Sequence, residues 1–288
     1  MLCWSNVMLK SVVIQGISGS YHEIAARSFF AGEEITLISK NTFREVTETV
    51  LQEPKYFGLM AIENTIAGSL LRNHELIRQS GLFVTGEYKL RISHCLAALP
   101  GTKLEEIIEV ASHPMALSQC EDFLDTLPSI SIVEKPDTAM SAQWIAANRL
   151  AWHAAVCSKE AAEEYGLEVL AEAVETNPHN YTRFLLISAL ESAKQFFQET
   201  QHRPNKASLV FTLPHTVGNL AAVLTILSFY GINLTKLQSF PLQGKEWQYY
   251  FYVDCTFREH SRYKQALNAL LPLTSDLKIL GEYEEYKE

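Results

Sequence analysis

Strand-like and helix-like segments alternate along residues 8–190, and this alternation limits the folds open to the chain. Four strand-like stretches of the first half carry it: residues 11–15, 34–39, 56–62 and the longer 83–99. Apolar residues at helical spacing follow the first two of them, and the alternation resumes through residue 165. This order predicts a parallel or mixed sheet covered by helices. A crossing near Tyr88–Leu90 and a return near Ala171–Thr176 predict two α/β lobes with a cleft between them.

Residues 207–288 follow a different plan. Strand-like segments there enclose two helical ones in the order βαββαβ, which is the ferredoxin-like pattern. The polar stretch 191–206 before it is interpreted as a linker or a peripheral helix. The sequence therefore predicts an α/β catalytic region over 8–190 and a smaller domain over 207–288.

Composition excludes several classes of protein. The chain has 288 residues, 47% hydrophobic and 20% charged, with a net charge of −9. It has no Lys/Arg cluster of the kind that binds nucleic acid, and no apolar run of the roughly 18 residues that span a membrane. The first residues, Met1–Val7, are interpreted as a leader or as a misassigned start, with Met8 as the alternative.

The five cysteines are odd in number and form no C-x-x-C pair. They are expected to be reduced and mostly buried, which indicates a cytoplasmic protein. No metal-ligand spacing occurs, and no dinucleotide motif is complete, so neither a metal nor a cofactor is expected.

Polar residues recur where predicted strands turn into helices. Four such turns and one polar strand start stand out: G-I-S-G-S-Y-H at 16–22, I-E-N-T-I-A-G-S at 62–69, A-S-H-P-M-A at 111–116, D-T-A at 137–139 and N-Y-T-R-F at 180–184. Taken singly, each of the four turns is explained at least as well by a tight turn or a helix cap, and capping is favoured for D-T-A at 137–139. Taken together, they supply hydroxyls, amides and backbone N–H groups, which suit binding of an anion and hydrogen bonding to a leaving oxygen.

At these residues the chain resembles the prephenate dehydratases. That family carries a glycine-rich start, an E-N-[ST]-x-x-G turn, an S-H-P-Q-A turn, a D-T-A turn and N-x-T-R-F, and this chain matches them in order over 8–190. The resemblance implies two α/β lobes of the kind found in periplasmic binding proteins, with the site in the cleft. It also implies that residues 207–288 form an ACT regulatory domain that binds phenylalanine.

The resemblance further implies the reaction and its residues. Prephenate would lose water and carbon dioxide to give phenylpyruvate, with Thr182 as hydrogen-bond donor in an acid-like role. The other catalytic positions implied are Glu63, Asn64 and Ser112. The implied substrate contacts are Ser20, Tyr21, Thr65, Gly68, His113, Asn180, Arg183 and Phe184, and the implied effector contacts are Gly218, Asn219, Leu220, Gln238 and Ser239.

The chain departs from the family pattern at several positions. Met115 replaces the glutamine of S-H-P-Q, so an amide donor is missing there. His22 stands where a small hydroxyl residue is frequent; it is expected either to reach the cleft as a substrate contact or to be a partly exposed residue of the first helical turn. In the regulatory domain, G-N-L replaces G-A-L and Q-S-F-P replaces E-S-R-P, so altered effector strength or selectivity is expected.

Two other functions remain open from the sequence. An arogenate dehydratase would bind an amine in place of the ketone, with Glu63 as an acidic partner. A non-catalytic small-molecule sensor is the second alternative, because Met115 removes a polar group. A homodimer or a dimer of dimers is expected, since pairing would cover exposed sheet edges.

Overall fold

The computed structural model describes residues 10–242, 244–245 and 247–287. Its strands are β1 (Lys10–Gln15), β2 (Ile35–Lys40), β3 (Phe57–Asn64), β4 (Gly68–Ser69), β5 (Phe83–Arg91), β6 (Cys95–Ala98), β7 (Glu109–Ser112), β8 (Ser131–Glu134), β9 (His153–Cys157), β10 (Glu168–Glu172), β11 (Tyr181–Ser188), β12 (Lys206–Thr212), β13 (Asn233–Pro241), β14 (Tyr249–Thr256) and β15 (Ser275–Tyr283). Its α-helices are α1 (Tyr21–Phe29), α2 (Phe43–Gln52), α3 (Leu71–Ser80), α4 (Pro114–Gln119), α5 (Glu121–Leu124), α6 (Thr138–Asn148), α7 (Lys159–Glu164), α8 (Leu190–Glu199), α9 (Asn219–Phe229) and α10 (His260–Leu270). The leader prediction for Met1–Val7 lies outside the described residues.

The first sheet has the strand order β2-β1-β3-β11-β5, with the short β4 paired to β3. β1 and β2 run parallel, in register from Lys10 opposite Ile35. β3 lies at the centre, and its residues 57–62 are all buried, as a continuous apolar run in a covered sheet requires. Polar Glu63 and Asn64 therefore emerge at the carboxyl end of a core strand.

The second sheet has the strand order β10-β6-β9-β7-β8. β7 is parallel to both β8 and β9, whereas β6 is antiparallel to β9 and β10. Buried apolar residues lie on both of its faces: one core includes Leu96 and Val110, and the other includes Ala97 and Ile145. The mixed sheets covered by helices confirm the predicted two-lobed α/β architecture.

The third sheet has the strand order β13-β14-β12-β15, which is the ferredoxin-like arrangement predicted for residues 207–288. Its core forms between one face of the sheet and the helices α9 and α10, where Phe211, Val223 and Leu270 are fully buried. The stretch 191–206, expected to be a linker or a peripheral helix, contains most of α8.

Three elements have features that local sequence patterns do not show. α3 begins at Leu71, because Gly68 and Ser69 pair with β3. Residues 114–124 form two short helices, α4 and α5, divided at Cys120, whose backbone is not helical. β10 was not predicted, since its sequence E-V-L-A-E contains two glutamates and little apolar alternation.

Contacts within the chain define two compact units. Of the described residues, those in 10–46, 59–70 and 88–184 form the first unit, and those in 47–58, 71–87 and 185–287 form the second. This grouping places 47–58 and 71–87 with the third sheet. The division into domains at 8–190 and 207–288 stays a prediction.

Within the second unit, charged and aromatic groups join α3 and β5 to the third sheet. The Lys206 ammonium contacts both carboxylate oxygens of Glu87 at 2.8 and 3.0 Å, and both side chains are buried. The Tyr252 hydroxyl donates to Glu75 at 2.6 Å, and Glu75 also pairs with Arg78. The ferredoxin-like sheet therefore buries specific polar contacts on the face opposite its own helices.

The four described cysteines, Cys95, Cys120, Cys157 and Cys255, are free and buried. No helix in the described part of the chain is both long and apolar enough to cross a membrane.

Candidate active site

A cavity of about 520 Å³ lies within the first unit. Its walls come from all four polar turns and from the start of β11. The lining residues are Gln15, Tyr21, His22, Asn41, Thr42, Phe43, Ala61, Asn64, Ala67, Leu70, Ile92, His94, His113, Met115, Ala116, Gln119, Pro136, Asp137, Thr138, Thr182 and Phe184. The convergence predicted from the sequence therefore exists as one cavity.

The first turns of several helices reach this cavity. Ser20 caps α1, and Thr42 accepts a bond from the Glu45 backbone N–H in the first turn of α2. Asp137 caps α6 through Oδ1, which accepts bonds from two backbone N–H groups. His113 caps α4 by accepting from the Met115 N–H at 3.1 Å. Helix N-termini carry partial positive charge, so they favour an anion in the cavity.

Thr182 lies at the start of β11 and faces the cavity. Its Oγ1 lies 3.0 Å from Nδ2 of Asn64, which also donates to Oδ1 of Asn180 at 2.7 Å. An amide nitrogen has no free lone pair, so the Thr182 oxygen accepts this bond. The hydroxyl hydrogen of Thr182 is consequently directed away from Asn64.

A further set of buried polar groups extends from Asn180. Its Nδ2 donates to Oε1 of Gln119 at 2.8 Å, and the same oxygen lies 3.1 Å from Nε2 of His94. His94 Nδ1 lies 2.8 Å from the hydroxyl of Tyr21. Gln119, His94 and Tyr21 line the cavity, so the chain of hydrogen bonds runs along its wall.

His22 also lines the cavity, but as a neutral ring. Its Nε2 accepts from the Ala61 backbone N–H at 3.4 Å, and the ring packs against Phe43 and Phe184. Burial lowers the pKa of His22 to about 4. It therefore adds a polar surface to the cavity rather than a positive charge.

Several predicted residues lie outside the cavity lining. Ser112 donates to the Val156 carbonyl, and Thr65 donates to the His179 carbonyl and accepts from the Tyr181 N–H. These hydroxyls hold neighbouring segments together.

The remaining predicted residues are likewise absent from the cavity lining. Glu63 lies 3.8 Å from the buried Arg183, Asn180 is fully buried, and Gly68 belongs to β4. Ser20 is 2% exposed and caps α1, so its side chain is buried within the turn. The substrate roles of these residues stay predictions.

The predicted effector residues all lie in the second unit. Gly218 adopts a left-handed conformation (φ +87°) at the N-terminus of α9, and Asn219 donates to the Pro214 carbonyl at 2.9 Å. Leu220 follows in α9, and Gln238 donates to the Ser239 carbonyl within β13.

Gln119 and His94 were not identified from the sequence. Gln119 follows Met115 by four residues, so both lie on the same side of the short helix α4 and both line the cavity. This spacing is the signal that could have found Gln119. His94 precedes the apolar strand β6, and nothing in its local sequence separates it from an ordinary buried histidine.

The charge of the cavity lining is unusual for an anion site. Within the described part of the chain, neither lysine nor arginine contributes to this lining, and Asp137 supplies a carboxylate. No group of three or more His, Cys, Asp or Glu side chains in the described ranges is arranged to hold a metal ion. The geometry offers neutral hydrogen-bond donors, helix ends and one acidic group.

The chain is similar in sequence to proteins of one known family. A sequence model of the family described as prephenate dehydratase matches residues 12–192. Arogenate dehydratase 5, chloroplastic, of Arabidopsis thaliana is 35% identical over 290 residues, covering 94% of this chain and 67% of that protein. Arogenate dehydratase/prephenate dehydratase 2, chloroplastic, of the same organism is 35% identical over 294 residues, covering 97% and 74%. The chain spans about two thirds of the length of the first of these relatives and about three quarters of the second.

Two solved structures share the fold of this chain. A prephenate dehydratase from Arthrobacter aurescens in complex with L-Phe superposes with a TM-score of 0.83 at 26% identity, covering 96% of this chain and 90% of that one. A protein described as GqqA, a novel type of quorum quenching acylases, superposes with a TM-score of 0.84 at 28% identity, covering 96% and 98%.

Proposed function

The chain belongs to the prephenate dehydratase family, and from this membership we propose that it converts prephenate to phenylpyruvate in phenylalanine biosynthesis. The bond from C1 to its carboxylate breaks, carbon dioxide leaves, and the electron pair completes the aromatic ring. The hydroxyl at C4 departs and leaves as water after taking up a proton. The observation that carries this proposal is the Thr182 hydroxyl, which lines the cavity with its hydrogen turned away from Asn64.

Thr182 acts as the hydrogen-bond donor to the departing hydroxyl. A threonine hydroxyl is a weak acid, so its contribution is stabilisation of the leaving oxygen rather than full proton transfer. Because Asn64 donates to Thr182, the threonine oxygen is polarised and its own hydrogen is a better donor.

The two carboxylates of prephenate are held without a cation in the described lining. The N-termini of α1, α2 and α6 present backbone dipoles to the cavity, and such ends favour anions. Glu63 and Arg183 lie outside this lining, and their ion pair at 3.8 Å joins β3 to the neighbouring β11.

The direct test is turnover of prephenate, followed as formation of phenylpyruvate. We expect Thr182→Val to lower kcat by about 10²- to 10³-fold with little change in KM, since the lost bond matters most in the transition state. Thr182→Ser retains the hydroxyl and should keep most of the activity. No phenylpyruvate from folded wild-type protein would contradict the proposal, and turnover of arogenate would then separate the second candidate from a non-catalytic sensor.

Arogenate dehydration is the second candidate. Arogenate carries an ammonium group, and Asp137 supplies a carboxylate to the described cavity lining. The relatives reported above include proteins named arogenate dehydratase. Comparison of kcat/KM on the two substrates decides between the candidates.

Asp137→Asn is the matched variant for this comparison. Asparagine keeps an oxygen to cap α6 but removes the charge. If Asp137 binds the ammonium, kcat/KM on arogenate should fall at least about tenfold, and kcat/KM on prephenate should not fall. Equal losses on both substrates would mean that the carboxylate does not select between them.

Acyl-amide hydrolysis has less support from the geometry. One structural relative is described as an acylase, and such chemistry requires a nucleophile activated by a base. Here the Thr182 hydroxyl contacts an amide rather than an imidazole. Thr182 is consequently arranged to donate a hydrogen bond.

Phenylalanine is the proposed effector of the ferredoxin-like domain, which we interpret as an ACT domain. The left-handed Gly218 opens α9 and leaves space for a carboxylate at its N–H groups. A solved relative is described in complex with L-Phe. Calorimetry on the full chain should detect phenylalanine binding, and Gly218→Ala should weaken it; no heat at millimolar phenylalanine would contradict this role.

We also propose that the protein forms a homodimer or a homotetramer, and that it is located in the cytoplasm. Strands β13 and β15 are the edges of the third sheet, and such edges are commonly covered by pairing. Light scattering after size-exclusion chromatography would measure the molar mass.

A further inference from the structure

His94 is buried in the wall of the cavity, yet the proposed mechanism gives it no task. We propose that His94 is a positioning residue for the Thr182 hydroxyl, acting through a chain of three buried amides. This inference rests on the proposed function. It concerns which group donates and which accepts along the chain that joins His94 to the catalytic threonine.

At the Thr182 end of this series of hydrogen bonds, backbone N–H groups determine which side-chain groups donate and which accept. Asn64 Oδ1 accepts from the N–H groups of Ile66 and Ala67 at 2.9 and 2.8 Å. Backbone N–H groups can only donate, so the orientation of the Asn64 amide is settled. Its Nδ2 therefore faces Asn180 and Thr182 and donates its two hydrogens to these nearer acceptors at 2.7 and 3.0 Å, while the Tyr181 carbonyl oxygen lies further away at 3.2 Å.

The same logic continues through the next two amides. Asn180 receives the bond from Asn64 on its Oδ1, so its own Nδ2 must donate to Gln119. Gln119 receives that bond on Oε1, the atom that also faces His94 Nε2 at 3.1 Å. An oxygen acceptor requires a hydrogen on its partner, and His94 Nε2 must therefore be protonated.

The other nitrogen of His94 is then an acceptor. Burial lowers the pKa of His94, so the ring is neutral and its Nδ1 carries no hydrogen. The Tyr21 hydroxyl lies 2.8 Å from Nδ1 and 2.8 Å from the Ser93 carbonyl oxygen, and it has one hydrogen for the two acceptors. Burial raises the pKa of Tyr21 well above its usual value, which keeps that hydrogen in place.

The charged groups close to His94 form an ion pair with each other. The Glu175 carboxylate accepts from the His94 backbone N–H at 2.9 Å, and Arg91 lies 3.6 Å from the same carboxylate. The ring itself bonds to Gln119 and Tyr21, which are uncharged. His94 therefore affects Thr182 by orienting hydrogen bonds and not by its charge.

The consequence for Thr182 follows from the oxygen that His94 and Asn180 share. With the His94 hydrogen on Nε2, Gln119 Oε1 accepts from both His94 and Asn180, and Asn180 keeps the position that Asn64 requires. If the His94 donor is lost, Gln119 can rotate and release Asn180. Asn64 is then held less well, and the Thr182 hydroxyl is no longer kept pointing into the cavity.

Two substitutions at His94 separate positioning from packing. His94→Gln places an amide N–H near the position of Nε2 and keeps the donor to Gln119. His94→Asn reaches only as far as Nδ1 and loses that donor. We expect His94→Asn to lower kcat for prephenate by about 10- to 100-fold with KM within about threefold, and His94→Gln to lose less than about fivefold.

A double-mutant cycle tests the connection to Thr182. In the Thr182→Val background, His94→Asn should cause less than about a twofold further loss, because the hydroxyl that it positions is absent. The same loss in both backgrounds, or equal losses for His94→Asn and His94→Gln, would overturn the inference. Wild-type protein that forms no phenylpyruvate would instead refute the proposed function.

Nitrogen chemical shifts of isotope-labelled histidines test the tautomer without turnover. His94 should have a protonated Nε2 and a bare Nδ1 between about pH 6 and pH 8. A protonated Nδ1 in folded wild-type protein would contradict the proposed direction of the chain whatever the activity. Thermal unfolding of each variant provides the control for folding.

Discussion

At the scale of single residues, the hydrogen-bonding properties of the cavity depend on the orientation of neutral side-chain amides. Asn64, Asn180 and Gln119 each have one possible amide orientation because neighbouring donors and acceptors select it. The sequence motifs identify Asn64 and Asn180 but not the order of donors between them. That order depends on backbone N–H groups of residues 66 and 67, which only the folded turn brings to Asn64.

His22 provides a prediction about pH. Its pKa in the folded protein is about 4, below the ordinary value of about 6.5, so the unfolded chain binds the proton more tightly. The stability that neutral His22 contributes is complete above about pH 6.5 and is lost as the pH falls towards 4. When the pH is lowered from 7.5 to 5, the free energy of unfolding of the wild type should fall by at most about 2 kcal/mol more than that of His22→Gln.

Urea unfolding of both proteins at the two pH values measures this difference. Glutamine keeps an acceptor for the Ala61 N–H, which makes it the appropriate reference. Parallel loss of stability in the two proteins would mean that His22 titrates normally in the folded state.

At the scale of secondary-structure elements, the site depends on where helices begin. The first polar turn packs against α7: the Ser158 hydroxyl donates to the Gly19 carbonyl, and the Tyr165 hydroxyl donates to the Ser18 carbonyl. These contacts place the N-terminus of α1 at the cavity. The periodicity of apolar residues predicted α1 itself, but the partner of its preceding turn lies about 140 residues away, beyond the reach of local sequence patterns.

Gly19→Ala should be costly for this reason. A Cβ at Gly19 would lie 2.5 Å from the Ala161 Cα, and Gly19 has a left-handed backbone (φ +80°). We expect the free energy of unfolding to fall by about 2–4 kcal/mol, combining backbone strain with overpacking. Gly32→Ala is the control, because Gly32 is also left-handed but has no atom within 4 Å of its would-be Cβ. Equal losses in the two variants would exclude a packing contribution at Gly19.

At the scale of the whole molecule, the second unit combines the ferredoxin-like sheet with segments 47–58 and 71–87 from the first third of the chain. Alternate residues of β12 point to opposite faces: Ala207 and Leu209 enter the helix-covered core, whereas Lys206 meets Glu87 on the other side. The sequence predicted the βαββαβ order of this domain. It did not identify Glu87 as the partner of Lys206, since they are 119 residues apart.

Lys206→Met tests the importance of this buried pair. Removing the ammonium leaves the Glu87 carboxylate buried, and breaking such pairs costs about 3–5 kcal/mol. The double variant Lys206→Met, Glu87→Leu should recover part of the loss, because no buried charge remains. Lys194→Met, which removes an exposed ion pair with Glu191, should change the unfolding midpoint little. A negligible effect of Lys206→Met would show that water reaches Glu87.

Sequence patterns were sufficient to predict the two α/β lobes, the ferredoxin-like order of the last third, and the polar turn and polar strand start that contain Asn64 and Thr182. These features depend on local periodicity and on motifs that lie within a few residues, which a single chain displays directly. The tertiary structure alone decided that Gln119 and His94 complete the cavity wall, that Ser112 turns to the Val156 carbonyl, and that the described lining is free of lysine and arginine. The physical reason is that hydrogen-bond partners and burial are properties of groups far apart in the chain, and they exist only once the backbone has brought them together.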